Sequence, residues 1–177
     1  MCLVVSCQCC QDCQRGRPLR CQHKKLNNRR PRLREGDELT PILGAGGLAE
    51  LALVDDQHVV AKPASLDIRL GALLGCGVAT GYGAAVNTGG VVDGDSVAVI
   101  GCGGVGLSAI AGAKSAGAHI ITAFDFQSDK LKLATEFGAD VTVDGAESPV
   151  ALGDSFDVVI DAVGGDGPLQ QALALAR

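Results

Sequence analysis

The sequence of 177 residues predicts an α/β protein whose second half is a partial, doubly wound parallel sheet. Three observations carry that expectation. Ser96–Ile100 (SVAVI) is an unbroken apolar run, as expected of a strand covered on both faces. A glycine-rich turn and an Ala- and Leu-rich stretch, Val105–Ala116, follow it directly. Strand-like and helix-like segments then keep alternating to the end of the sequence, which is the order that builds parallel sheets.

The segments run as follows. Residues 1–35 are a Cys-rich head and a basic stretch (NNRRPRLREGD) without helical or strand period, and read as loop. Residues 36–75 contain two strand-like runs, Leu48–Val54 and Val59–Pro63. Leu70–Gly90 reads as helix, a glycine-dense turn, then more helix. After the Ser96–Ile100 strand and the Val105–Ala116 helix come a strand at His119–Phe124 and a helix that Ser128 can cap and Gly138 can stop. Val141–Val143 is a third strand, a fourth opens at Asp157–Ile160, and Pro168–Arg177 starts another helix. Two domains are expected, residues 1–75 and 76–177.

Composition narrows the function. The net charge is −5, but residues 1–34 hold nine of the fifteen Lys and Arg with one acid, Asp12. A basic, Cys-rich head suits either a solvated loop or a zinc module on nucleic acid. The acidic remainder argues against a nucleic-acid protein. No run of 18 apolar residues occurs, so no membrane span is expected. MCLVVS is too short for a secretory signal and lacks its positive flank. A cytoplasmic location with reduced thiols follows.

Gly101-Cys102-Gly103-Gly104-Val105-Gly106 fits G-x-G-x-x-G between a buried strand and a helix, the context that motif requires. Gly101 makes the turn, Gly103 lets a diphosphate approach the backbone, and Gly106 lets helix and strand pack closely. Free N–H groups at the helix start then face the phosphates. Asp125, at the end of the second strand, suits the ribose hydroxyls and repels a 2′-phosphate, so NAD is expected over NADP. Asp125 capping the strand–helix turn is the simpler alternative.

Cys7, Cys10, Cys13 and Cys21 form C-x2-C-x2-C-x7-C. Four thiolates at such spacings, from a turn-rich loop of about residues 7–21, suit a closed structural Zn²⁺ site. Unrelated thiols in a loose terminus are the other reading. Cys2 and Cys9 fall outside the pattern, and Cys9 competes with Cys10.

Together the lobe and the loop resemble the zinc-containing medium-chain alcohol dehydrogenases. The wording GCGVATGYGAAVNTGGVVDGDSVAVIGCGGVGLSAIAGAKSAGA and FDFQSDKLKLATEFGAD is similar to the formaldehyde dehydrogenase-like members, including the mycothiol-dependent type. The resemblance implies a GroES-like β domain, partial here, before a partial Rossmann domain. It implies structural zinc on Cys7, Cys10, Cys13 and Cys21, and Cys76 as one ligand of a catalytic zinc. It implies Thr80 beside the nicotinamide, and Gly101, Gly103, Gly104, Val105 and Gly106 around the pyrophosphate. Asp125 and Lys130 would meet the ribose, and Val163 and Gly164 the adenosine side. The implied activity is NAD-dependent oxidation of a small alcohol or a thiol–formaldehyde adduct, in a homo-oligomer.

The departures set the remaining expectations. The family's other catalytic Cys and His precede the zinc lobe and have no counterpart here. His23, His58 and His119 read as surface or core histidines. Cys76 alone cannot hold a catalytic zinc. The chain is expected to be truncated at both ends and inactive by itself. The alternative is a non-catalytic module or remnant that binds dinucleotide and zinc.

Overall fold

The computed structural model describes residues 6–23, 35–39, 47–145 except 53, 55, 57 and 58, and 155–177. The chain divides into two compact units, Met1–Leu66 and Asp67–Arg177.

In the first unit the cysteine-rich segment folds into a helical turn, α1 (Gln11–Gln14), and a 3₁₀ turn at Pro18–Arg20. Pro18 opens the second turn, where its fixed φ fits and its missing N–H costs nothing. Gly16, at φ 72°, makes the bend between them. The runs Leu48–Val54 and Val59–Pro63 do not form strands among the described residues, and Leu48 and Val60 are exposed. A strand exists only with a ladder partner, which an apolar run cannot supply by itself. Leu53 and His58, from this region, lie outside the described residues.

The second unit opens with α2 (Ile68–Leu73) and α3 (Ala79–Gly83), joined and followed by π turns at Leu74–Val78 and Ala84–Thr88. Asp67 caps the start, accepting the Arg69 N–H at 2.7 Å. The glycine-dense break expected here is absent, and helical backbone runs from Ile68 to Thr88. The glycines serve packing instead. A Cβ on Gly81 would strike the Val105 carbonyl, and one on Gly112 would lie 3.2 Å from the Ala85 methyl. Helices can approach this closely only where side chains are absent. By length and composition Ile68–Thr88 could cross a membrane, and within it only Gly81 and Ala85 are buried.

Four parallel strands follow: β1 (Ser96–Ile100), β2 (Ile120–Asp125), β3 (Val141–Asp144) and β4 (Val158–Asp161), in the order β3-β2-β1-β4. β1 is buried at four of its five positions, as its unbroken apolar run requires. Val97 and Val99 join Ile110, Ile121 and Ala109 in one cluster; Ala98 and Ile100 join Phe124, Phe156 and Leu175 in the other. That split is the two-residue period of a pleated strand read against two faces.

Helices α4 (Gly104–Ser115), α5 (Ser128–Phe137) and α6 (Asp166–Leu175) connect or follow the strands. Gly138 ends α5 at φ 115°, the left-handed C-cap its sequence position suggests. Ser128 is the first helical residue and Gln127 the N-cap. β2 starts one residue after His119, which is exposed. α6 starts at Asp166, two residues before Pro168. A proline in a first turn removes an N–H that has no intrahelical acceptor anyway. Beyond α6, Ala176 forms a parallel bridge with Phe156 just before β4.

Candidate functional site

Residues 101–106 turn directly from β1 into α4, at the carboxyl end of the sheet. Gly101 has φ +90°, a region other residues rarely enter, and its N–H donates to the Phe124 carbonyl at 2.7 Å. A Cβ on Gly106 would fall on the Gly101 carbonyl, so the turn closes only around a bare backbone. Gly103 and Gly104 differ in kind: a Cβ on either meets no protein atom within 4 Å. Their bareness serves no internal contact. It leaves open space in front of the first turn of α4, whose N–H groups lack intrahelical acceptors. A phosphate anion matches that space in charge and in hydrogen bonding.

Asp125 ties this loop to the next strand. Its Oδ2 accepts the Cys102 N–H at 2.8 Å and its Oδ1 accepts the Gln127 N–H at 2.9 Å. Lys130 Nζ stands 3.7 Å from Oδ2, and the Asp125 side chain is 9% exposed. Each carboxylate oxygen retains lone-pair capacity for a further donor. Capping the turn and receiving ribose hydroxyls are therefore compatible roles. Cys102 itself is buried, and burial first, then the Asp125 charge, pushes its thiol up to about 11.

A cavity of about 460 Å³ opens beside this carboxylate. Gly101, Asp125, Lys130 and Val163 line it, all expected from the sequence. Phe126, Gln127, Pro168 and Gln171 also line it, and no sequence motif points to them. Phe126 carried the only readable signal, an aromatic residue directly after the acid. It is 76% exposed, and its ring lies over Gly145. Pro168 and Gln171 come from α6, and no local pattern links that helix to the β2 turn.

Gly101 and Val163 face one another across the end of the sheet, since a Cβ on Gly101 would lie 2.5 Å from Val163 Cγ2. Val163 and Gly164 sit in the turn after β4, where both N–H groups donate to Asp161 Oδ1 at 2.9 and 3.0 Å. Val105 is the second residue of α4, and its carbonyl is pressed against Gly81. Thr80, the residue before Gly81, is exposed. Cys76 is exposed in the first π turn and belongs to no metal-ligating group among the described residues.

In the first unit, Cys7, Cys10, Cys13 and Cys21 place their sulfurs within 4.8 Å of one another. Zn–S bonds of about 2.3 Å in a tetrahedron require sulfurs about 3.8 Å apart. Cys10 Sγ is 3.4 Å from Cys13 Sγ and 3.9 Å from Cys21 Sγ, so the set matches a closed zinc site. Backbone prepares the ligands: the Cys10 N–H donates to Cys7 Sγ and the Cys7 N–H to Cys21 Sγ, both at 3.3 Å. N–H groups of Cys9 and then Cys10 pull the Cys7 thiol down to about 6. Burial, then its sulfur neighbours, pushes Cys13 up to about 12. Gln8 takes φ 60°, rare for a residue with a side chain, to swing the chain between Cys7 and Cys10. Cys9 is exposed and outside the set; Cys2 lies outside the described residues.

A glycine cradle at the mouth of a parallel sheet, in a chain that also carries a four-sulfur lobe, fits the family resemblance that the sequence shows. Comparison with known proteins agrees. Residues 104–177 match the family described as zinc-binding dehydrogenase. S-(hydroxymethyl)glutathione dehydrogenase of Saccharomyces cerevisiae is 44% identical over 105 residues, 59% of this chain and 27% of its own length. A Schizosaccharomyces pombe protein named as a probable S-(hydroxymethyl)glutathione dehydrogenase 1 is 34% identical over 90% of this chain and 43% of its own length. Among solved structures, an alcohol dehydrogenase zinc-binding domain protein from Burkholderia ambifaria superposes with TM-score 0.83 at 28% identity, covering 98% of this chain and 52% of that one. Benzyl alcohol dehydrogenase from Acinetobacter calcoaceticus gives TM-score 0.80 at 28% identity, over 97% of this chain and 51% of that one. Residues 104–177 thus match the zinc-binding dehydrogenase family, and the chain as a whole is similar to zinc-containing alcohol dehydrogenases. It spans less than half the length of the curated relatives it matches.

Proposed function

We propose that this chain supplies the NAD-binding part and the structural zinc lobe of an NAD-dependent oxidoreductase acting on a small alcohol or a thiol–formaldehyde adduct. One observation carries the reading: Gly103 and Gly104 are bare toward open space, beside a carboxylate already tied to the loop. When bound, NAD accepts the hydride of an alcohol oxidation. The residues of this chain bind and orient it. The α4 N–H groups and Gly101–Gly106 hold the diphosphate, Asp125 the ribose hydroxyls, and Lys130 the carboxylate in place. Val163 and Gly164 wall the adenosine side, and Thr80 stands toward the nicotinamide.

Cys7, Cys10, Cys13 and Cys21 hold a zinc that cross-links a lobe too small for a core of its own. A catalytic zinc does not fit the described residues, because among them Cys76 belongs to no group of His, Cys, Asp or Glu that could hold a metal. That observation also favours a second reading, a module that binds NAD without turnover. Residues 1–75 then correspond to part of a GroES-like domain and 76–177 to part of a Rossmann domain, in a cytoplasmic protein that self-associates, as the sequence resemblance implies.

Calorimetry of the zinc-loaded chain with NAD and with NADP tests the binding. Heat with NAD and at least about tenfold weaker binding of NADP is the expected result, since the Asp125 carboxylate repels a 2′-phosphate. No heat with either nucleotide refutes the assignment. Added alcohol separates the two readings: a steady rise in NADH absorbance supports the enzyme, and its absence supports the module.

A further inference from the structure

We infer that Asp161 is a positioning residue for the dinucleotide site: its carboxylate sets the gap between the β1 and β4 turns through which the cofactor lies. This rests on the NAD-binding reading above. Asp161 ends β4, with Cα register opposite Ile100 at the end of β1. Directly after it the chain leaves the sheet; the Ala162 N–H still bonds the Ile100 carbonyl at 2.9 Å. The next two N–H groups, of Val163 and Gly164, turn back from the sheet onto the single atom Asp161 Oδ1.

The consequence is where Val163 goes. Its Cγ2 occupies the space a side chain on Gly101 would need, 2.5 Å from the ideal Cβ position. Val163 and Gly101 line the same cavity as Asp125. Gly164 and Gly165 then take φ +81° and +89°, handing the chain to α6, which supplies Pro168 and Gln171 to the far wall. Among the described residues the Asp161 carboxylate receives both of those N–H groups, so the wall is fixed from beneath by one side chain that does not line the cavity itself. The fold pairs it with Asp125: each acid ends a parallel strand, and each accepts the N–H two residues further on. Asp125 faces the cofactor; Asp161 holds the opposite wall.

The test uses NADH binding to the full zinc-loaded chain, read by NADH fluorescence, which no tryptophan obscures because the chain has none. Asp161→Ala is expected to weaken NADH about tenfold, the effect of freeing a turn held by two hydrogen bonds to a charged group. Asp161→Asn retains an oxygen acceptor and is expected to restore affinity to within about threefold of wild type. Val163→Ala, which leaves Asp161 in place, is expected to weaken NADH several-fold with zinc content unchanged. If Asp161→Ala fails to fold, Asp161→Asn and Val163→Ala carry the test. Wild-type affinity in folded Asp161→Ala, an Asp161→Asn as weak as Asp161→Ala, or an unaffected Val163→Ala overturns the inference. Absence of NADH binding by wild type overturns the functional reading instead, and this inference falls with it.

Discussion

Gly103→Ala separates a glycine kept for a ligand from one kept for the fold. Gly103 has φ −77° and ψ −171°, which alanine adopts freely, and its Cβ would meet nothing within 4 Å. Two small effects on stability oppose each other. Restricting the unfolded chain adds about 0.4–1 kcal/mol, and alanine is a poorer N-cap than glycine by a similar amount. The net change is expected to stay within about 1 kcal/mol. Binding is another matter. A methyl group there holds a phosphate away from at least one α4 N–H, and such charge-assisted bonds contribute about 1.5–3 kcal/mol. At about 1.4 kcal/mol per decade, NADH should bind roughly 10- to 100-fold more weakly. Urea unfolding gives the first quantity and fluorescence titration the second. Gly106→Ala is the counterpart: its Cβ falls on the Gly101 carbonyl, so it should lose about 1–3 kcal/mol or more and bind poorly as well. A Gly103→Ala protein that binds NADH like wild type would refute the reasoning.

Three further outcomes are expected. Cys10→Ser should lose tightly bound zinc, and Cys9→Ser should keep it, by metal analysis after dialysis; acidification should release the zinc as the thiolates protonate. Phe124→Ala, at a side chain 1% exposed in the cluster with Ile100, Val143 and Leu175, should destabilise by about 3–5 kcal/mol in urea titration. Asp157 is held below the usual carboxylate range, first by the Ser96 hydroxyl at 2.6 Å, then by the Ser96 N–H at 2.9 Å. A depressed native pKa adds stability above the unfolded value of about 3.9, and that stability disappears as pH falls through the native one. Urea midpoints of Ser96→Ala should therefore lie below wild type at pH 7, and the gap should narrow as the pH falls below about 3.9, leaving the part due to the Asp157 N–H that the hydroxyl accepts.

Much of the second unit is legible because its determinants are local. SVAVI needs burial on both faces, G-x-G-x-x-G needs a strand before it and a helix after, and Gly138 needs only its own φ. The cysteine spacing is legible for the same reason, since one short turn-rich loop carries all four sulfurs. What stays hidden depends on partners distant in sequence. Leu48–Val54 has the composition of a strand but no ladder partner among the described residues. The glycines of residues 70–90 read as a break because nothing local shows that Gly81 meets Val105. Asp125 presents itself as a ribose ligand, while its bond to the Cys102 N–H emerges only once β1 and β2 lie side by side. Gln171 joins the cavity only through the path of α6.

Backbone NMR of the labelled, zinc-loaded chain, titrated with NAD, reads the central claim residue by residue. The predicted result is amide shifts concentrated at Gly103–Gly106, with smaller ones at Cys102, Gln127 and Val163, and none around Cys7–Cys21. Shifts confined to other surfaces, or a spectrum that NAD leaves untouched, would contradict the account.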